Sequence, residues 1–195
     1  MLKINDQLPV FAANAYHNEK EVTITFDKTS KKESPYTKGK WLIFMFYPAD
    51  FTFVCPTELE EMASVYKEIA KEGAEVFSVS TDTVFAHKAW HDNSPAIKKV
   101  EFPMLADPTG NLCKLFGTYI EEDGLSLRGT FIVDPTGKLK TIEIHDNSIG
   151  RSARELLRKL QAAKFTSQNK GKVCPASWEP GGKTLKPGID LVGKI

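Results

Sequence analysis

Cysteine is scarce in this chain: Cys55, Cys113 and Cys174 are its 3 cysteines, and no Cys-x-x-Cys pair occurs. An odd, sparse set excludes a secreted disulfide framework, and the missing pair excludes a dithiol reductase or a paired-thiolate zinc centre. In a reducing compartment such cysteines are catalytic, redox-active or simply buried. Charge of one sign is lacking too. The 26 basic and 25 acidic residues leave a net +1, so neither nucleic acid nor a membrane surface is indicated as a partner. The longest apolar run, Trp41 to Tyr47, is too short to cross a bilayer. The opening MLKINDQLPV has no apolar h-region and no small-residue cleavage site, so a cytoplasmic location is expected. A glycine-rich dinucleotide fingerprint is missing. No resident cofactor is therefore expected, and electrons for any redox step must arrive by thiol exchange.

What is present is ordinary for a globular chain, with 41% hydrophobic and 26% charged residues. The 195 residues suit one domain with a tail and can bury a core without disulfide staples. Residues 1–15 read as an extended lead-in and Glu21 to Asp27 as a strand; Lys28 to Lys40 reads as a solvated loop. The continuous apolar run at Trp41 to Tyr47 fits a strand covered on both faces, which argues for an α/β sheet. Thr57 to Lys71 carries a helical apolar stripe closed by Gly73. Ala74 to Ser80 reads as an interior strand, Val84 to Asn93 as a helix, Phe102 to Ala106 as a short strand and Asn111 to Phe116 as a short helix. Gly129 to Val133 and Lys138 to His145 form a hairpin around the second of two Asp-Pro-Thr-Gly turns. Arg151 to Phe165 is the most regular helix, and the glycine- and proline-rich remainder reads as an irregular arm. The domain division this gives is 1–165 for the folded domain and 166–195 for the arm. The alternation of elements supports α/β and nothing finer.

Chemistry concentrates in Pro48-Ala-Asp-Phe-Thr52-Phe-Val-Cys55. A strand delivers this segment and a helix leaves it, so Cys55 falls in the first turn, where unpaired backbone N–H groups favour negative charge. The thiolate is the nucleophile. Pro48 can shield the sulfur, and Thr52 can offer a hydroxyl to whatever it attacks. An arginine to neutralise charge must come from elsewhere. Arg128, at the edge of a buried-looking strand, is the candidate, although pattern alone makes it a surface residue. A sulfenic acid on Cys55 would need a second thiol. Cys174 can supply it from an arm without core periodicity. Cys113, on the apolar side of a short helix, reads as packing. His87 and His91 have the spacing of a zinc helix, but Lys88 stands where the essential glutamate would be and a third ligand is missing. A solvated helix face is expected there.

The pattern Pro-x-x-x-Thr-x-x-Cys followed by Pro-Thr-Glu resembles the active-site signature of peroxiredoxins. The blocks FYPADFTFVCPTEL, VSTDT, HKAWH, RGTFIVDP and ELLRKLQAAKF extend the likeness over nearly the whole chain. The ending, GKVCPASWEPG then LKPGIDLVGKI, is similar to the bacterial alkyl hydroperoxide reductase C branch of the typical two-cysteine members. The resemblance implies a thioredoxin-like fold, with a central mixed sheet flanked by helices and an extended C-terminal arm. It implies a thiol-specific peroxidase reducing hydrogen peroxide and organic hydroperoxides. Cys55 would be the nucleophile, Thr52 and Pro48 its pocket, and Arg128 and Arg151 its cations, with Glu58 bridging the two arginines. Cys174 of a partner subunit would resolve the sulfenic acid in a homodimer that assembles into a ring, commonly a decamer. The reductant would be a flavoprotein disulfide reductase using NADH or NADPH, with thioredoxin the main alternative. Over-oxidation-sensitive members carry a Gly-Gly-Leu-Gly segment and a C-terminal Tyr-Phe pair. Here Glu122-Asp-Gly-Leu-Ser126 and Gly-Lys-Ile stand instead, so resistance to over-oxidation is expected. The rival readings are a non-catalytic chaperone ring on the same fold and a one-cysteine peroxidase with Cys174 idle.

Overall fold

The computed structural model describes residues 1–30 and 33–194. Lys31 and Lys32, within the polar loop expected over 28–40, and Ile195, at the end of the arm, lie outside the described residues. The chain divides into two compact units, Met1–Ala153 and Arg154–Ile195.

In the first unit, β1 (Phe11–His17) and β2 (Lys20–Phe26) form an antiparallel hairpin. Its two turn residues, Asn18 and Glu19, both have positive φ, 50° and 61°, the geometry that matches the twist of paired strands. The extended lead-in expected over residues 1–15 thus includes a true strand. It gains its identity from pairing with β2 and with β5, which a weak alternation does not reveal. Then follow β3 (Trp41–Phe46), α1 (Cys55–Lys71), β4 (Ala74–Ser80), α2 (Val84–Asn93), β5 (Met104–Ala106) and α3 (Asn111–Phe116). Two short strands, β6 (Tyr119–Ile120) and β7 (Leu125–Ser126), make a separate small hairpin, and β8 (Arg128–Val133) and β9 (Leu139–His145) complete the main sheet.

The main sheet has seven strands in the order β2-β1-β5-β4-β3-β8-β9. β3, β4 and β5 are parallel neighbours, while β8 runs antiparallel to β3 and β9 antiparallel to β8. Every residue of β3, β4 and β8 is buried, as a continuous apolar run predicts. Successive side chains of β3 alternate between faces. Leu42, Phe44 and Phe46 join Phe77, Phe131 and the α3 residues Leu112, Cys113 and Phe116 in one core, rich in aromatic contacts. Tail and lead-in aside, this is the expected mixed sheet.

The second unit opens with α4 (Ala153–Gln168), whose first residue closes the first unit. The boundary drawn from composition, 165/166, falls inside this helix. Beyond it, Val173 and Leu185 pair as an isolated antiparallel bridge, and a single 3-10 turn spans Ile189–Leu191.

Candidate active site around Cys55

The fold places Cys55 by ending β3 and beginning α1 over a short loop. α1 starts at Cys55, two residues earlier than its apolar stripe indicates, because Pro56 in its first turn needs no N–H partner. The sulfur therefore lies at the helix N-terminus and at the carboxyl end of a parallel strand, where open α/β sheets place their sites. The residue is fully buried.

Two antiparallel pairings bring the remaining groups. Thr130 of β8 pairs with Met45 near the end of β3, so Arg128, two residues earlier, projects at the same sheet edge as the β3–α1 loop. Arg128 Nη1 lies 3.4 Å from Cys55 Sγ and 2.8 Å from Glu58 Oε2. Arg128 Nε donates to the Asn147 carbonyl at 2.9 Å, and Nη2 has no hydrogen-bond partner among the described residues. Arg128 is 3% exposed, so the surface position that pattern alone suggested is overturned; ionic contacts compensate its burial.

Glu58, one turn into α1, holds the second arginine. Its Oε1 accepts from Arg151 N at 2.8 Å and Arg151 Nε at 2.9 Å, and its Oε2 accepts from Arg151 Nη2 at 2.9 Å. Arg151 Nη1 is committed to Gly129 O at 2.7 Å and Thr130 Oγ1 at 3.0 Å. Burial alone would push the Glu58 carboxyl up. The hydrogen bonds and charge of Arg151, then the charge of Arg128, outweigh it and hold the group below its ordinary range. Arg151 precedes α4 rather than opening it as the sequence indicated.

Thr52 Oγ1 donates to the Ala49 carbonyl at 2.8 Å. With its proton engaged, the oxygen keeps only its acceptor capacity for any further partner. Pro48 is buried two residues after β3, and Phe51, between Pro48 and Thr52, has φ of 56°, a left-handed conformation unusual for an aromatic residue.

Sequence reasoning missed the network behind this loop. Tyr47 Oη donates to Asp50 Oδ1 at 2.7 Å, and Asp50 Oδ2 meets His87 Nδ1 at 2.8 Å. His87 Nε2 lies 3.1 Å from the Leu105 carbonyl. The Asp50 N–H donates to Asp82 Oδ2, which Ser80 Oγ also contacts, at 2.9 and 2.7 Å. Burial, then the Asp50 carboxylate, pushes the Tyr47 phenol well up and keeps it a donor. His87 is wholly buried, which corrects the solvated helix face expected for it: it braces the loop from α2. His91 is apart from it, beside Tyr16 Oη at 3.3 Å. Among the described residues, Glu19, His91 and Asp92 form the one group that could hold a metal ion. The Lys88 ammonium already bridges Glu19 and Asp92 at 3.0 and 2.8 Å.

Cys113 is buried in the core, its thiol pushed up to about 12 by burial and then by the Asp107 charge, in keeping with packing. Cys174 belongs to the second unit and is partly buried; none of the three cysteines is in a disulfide. No helix among the described residues is long and apolar enough to cross a membrane.

A buried cysteine at a helix N-terminus, faced by a guanidinium on a thioredoxin-like sheet, defines a thiol redox site. The model of the AhpC/TSA family matches residues 4–142, and the chain belongs to that family. It is 50% identical to an alkyl hydroperoxide reductase C of Pseudomonas aeruginosa and 48% identical to one of Staphylococcus aureus, over 100% of both chains in each case. Among solved structures, Enterococcus faecalis AhpC superposes with a TM-score of 0.82 at 44% identity, covering 90% of this chain and 100% of that one. A reduced 2-Cys peroxiredoxin of Plasmodium vivax gives 0.87 at 26% identity, covering 97% and 96%. The resemblance noted from motifs therefore holds along the chain's whole length.

Proposed function

We propose that this protein is a thiol-dependent peroxidase that reduces hydrogen peroxide and organic hydroperoxides to water and alcohols. The observation that carries this reading is the 3.4 Å approach of Arg128 Nη1 to Cys55 Sγ, fixed from behind by Glu58.

The Cys55 thiolate attacks the terminal oxygen of the hydroperoxide. An S–O bond forms, the O–O bond breaks, and the alkoxide or hydroxide that departs takes up a proton. The reactant's O–H can donate to Thr52 Oγ1, whose own proton is engaged. Arg128, with Nη2 uncommitted, stabilises charge on the departing oxygen through charge-assisted hydrogen bonding. Arg151, with Nε, Nη1 and Nη2 all bonded, holds Glu58 and does not meet substrate. Pro48 shields the sulfur from bulk water.

The resulting sulfenic acid condenses with Cys174 of a partner subunit. A homodimer assembling into a ring, decameric by family habit, supplies that partner. The disulfide is then reduced by a flavoprotein disulfide reductase drawing on NADH or NADPH, or by thioredoxin, in the cytoplasm.

Peroxide consumption by Cys55→Ser tests the reading, with Cys174→Ser run beside it on non-reducing gels. Cys55→Ser is expected to fall to background, and wild type to form a peroxide-induced covalent dimer that Cys174→Ser loses. Wild-type activity in Cys55→Ser would refute the assignment.

A further inference from the structure

The second thiol has machinery of its own within Arg154–Ile195. Val173 and Leu185 exchange backbone hydrogen bonds at 2.9 and 3.0 Å, closing the loop that carries Cys174. Inside it, Trp178 Nε1 donates to Gly182 O at 3.2 Å, and the indole packs on Phe165 of α4 with centroids 4.9 Å apart. One side chain of α4 grips this loop by a main-chain atom: Arg158 Nη1 donates to Trp178 O at 2.9 Å. The same guanidinium is held by Glu155 in a two-pronged pair, Nε to Oε2 at 2.7 Å and Nη2 to Oε1 at 2.8 Å. Cys174 Sγ sits 4.0 Å from the carbonyl of Ala162, one turn beyond Arg158 on the same helix face.

We propose that Arg158 is a positioning residue for the resolving step: it fastens the Cys174 loop to α4 through the Trp178 carbonyl and presents positive charge to the sulfur as it becomes a thiolate. Burial pushes the Cys174 thiol up, and the Arg158 charge opposes that rise. Glu155 and Glu179 act in turn on Arg158, so the cation is held in place rather than drawn away by solvent. The inference rests on the functional reading above. In the step it serves, Cys174 loses a proton and its thiolate attacks the sulfenic sulfur of Cys55. The S–S bond forms, the S–O bond breaks, and the hydroxide released combines with that proton to give water. Over the two steps the thiols together give up one electron pair, which the peroxide accepts as its O–O bond breaks.

Arg158→Met and Arg158→Lys separate this role from a merely structural one. Peroxide is added in single turnover, Cys55 sulfenic acid is trapped with dimedone, and disulfide formation is followed by intact mass. Sulfenylation of Cys55 is expected at the wild-type rate in both variants, while disulfide formation in Arg158→Met slows on the order of fivefold, the upper range for a partly exposed charge interaction. Alkylation of Cys174 across pH, read at its own peptide in a Cys55→Ser background, is expected to shift upward in Arg158→Met and to return toward wild type in Arg158→Lys. Wild-type disulfide rates in Arg158→Met, or identical alkylation profiles in all three proteins, would overturn the proposal. Failure of wild type itself to form a Cys55–Cys174 disulfide would instead remove the functional reading, and this inference with it.

Discussion

Glu58 reaches two guanidiniums with two oxygens, so its ionisation decides whether the site holds its shape. Because its carboxyl is held below the ordinary 4.5, folding is stabilised by this group above that value. The contribution is lost as pH falls through the lowered value in the folded protein. Glu58→Gln should therefore melt below wild type near neutrality, by the several kcal/mol typical of breaking a buried ionic cluster, about 3–5 kcal/mol. The gap should narrow as the medium is made more acid than 4.5. Thermal melts of both proteins across pH measure it; a gap independent of pH would show that charge on Glu58 is not what matters. His87 illustrates how a residue can be visible and misread. Its spacing with His91 was plain, but the group that claims it, Asp50, lies 37 positions away.

At the scale of elements, β8 joins site to core at one glycine. A Cβ on Gly129 would stand 2.5 Å from Thr118 Cγ2 and 2.8 Å from the Phe131 ring, while its carbonyl accepts from Arg151. Gly129→Ala forces the strand away from a packed neighbour. It is expected to cost about 1–3 kcal/mol, read as a melting temperature lower by roughly 2–4 °C per kcal/mol for a chain of this size, with a parallel loss of peroxidase activity. Unchanged melting and activity would mean the strand yields freely. The elements themselves were largely legible. β4, α2 and α3 have the bounds their patterns indicate, since long apolar or amphipathic runs fix them locally. The β6–β7 hairpin was not legible, because two residues per strand carry no periodicity. The site was legible only in part. Cys55, Pro48 and Thr52 sit in one octapeptide, but Arg128 comes from 73 positions beyond Cys55 and Arg151 from 93 beyond Glu58. No local pattern encodes those pairings, and family likeness alone pointed to them.

For the molecule as a whole, the proposed chemistry is divided between two units: Cys55, which would meet peroxide, belongs to Met1–Ala153, and Cys174, the proposed second thiol, to Arg154–Ile195. The fate of the sulfenic acid then depends on how quickly the second thiol is reached. Where sensitive relatives carry Gly-Gly-Leu-Gly, this chain has only the tight β6–β7 turn, closed by Gly124 N–H to Ile120 O at 2.9 Å. Turnover with a reducing system and modest peroxide excess should leave Cys55 free of sulfinic acid by intact mass. Heavy sulfinylation under those conditions would contradict this.

Two guanidiniums and one carboxylate leave the buried cluster with a surplus of one positive charge. An anionic sulfur brings that enclosure to electroneutrality; a neutral sulfenic acid does not. On the proposed mechanism, oxidation would take the sulfur's charge away from Arg128, whose remaining ionic contact in the buried cluster is Glu58. The charge balance beside Arg128 would therefore change in the same step that creates the need for a second sulfur.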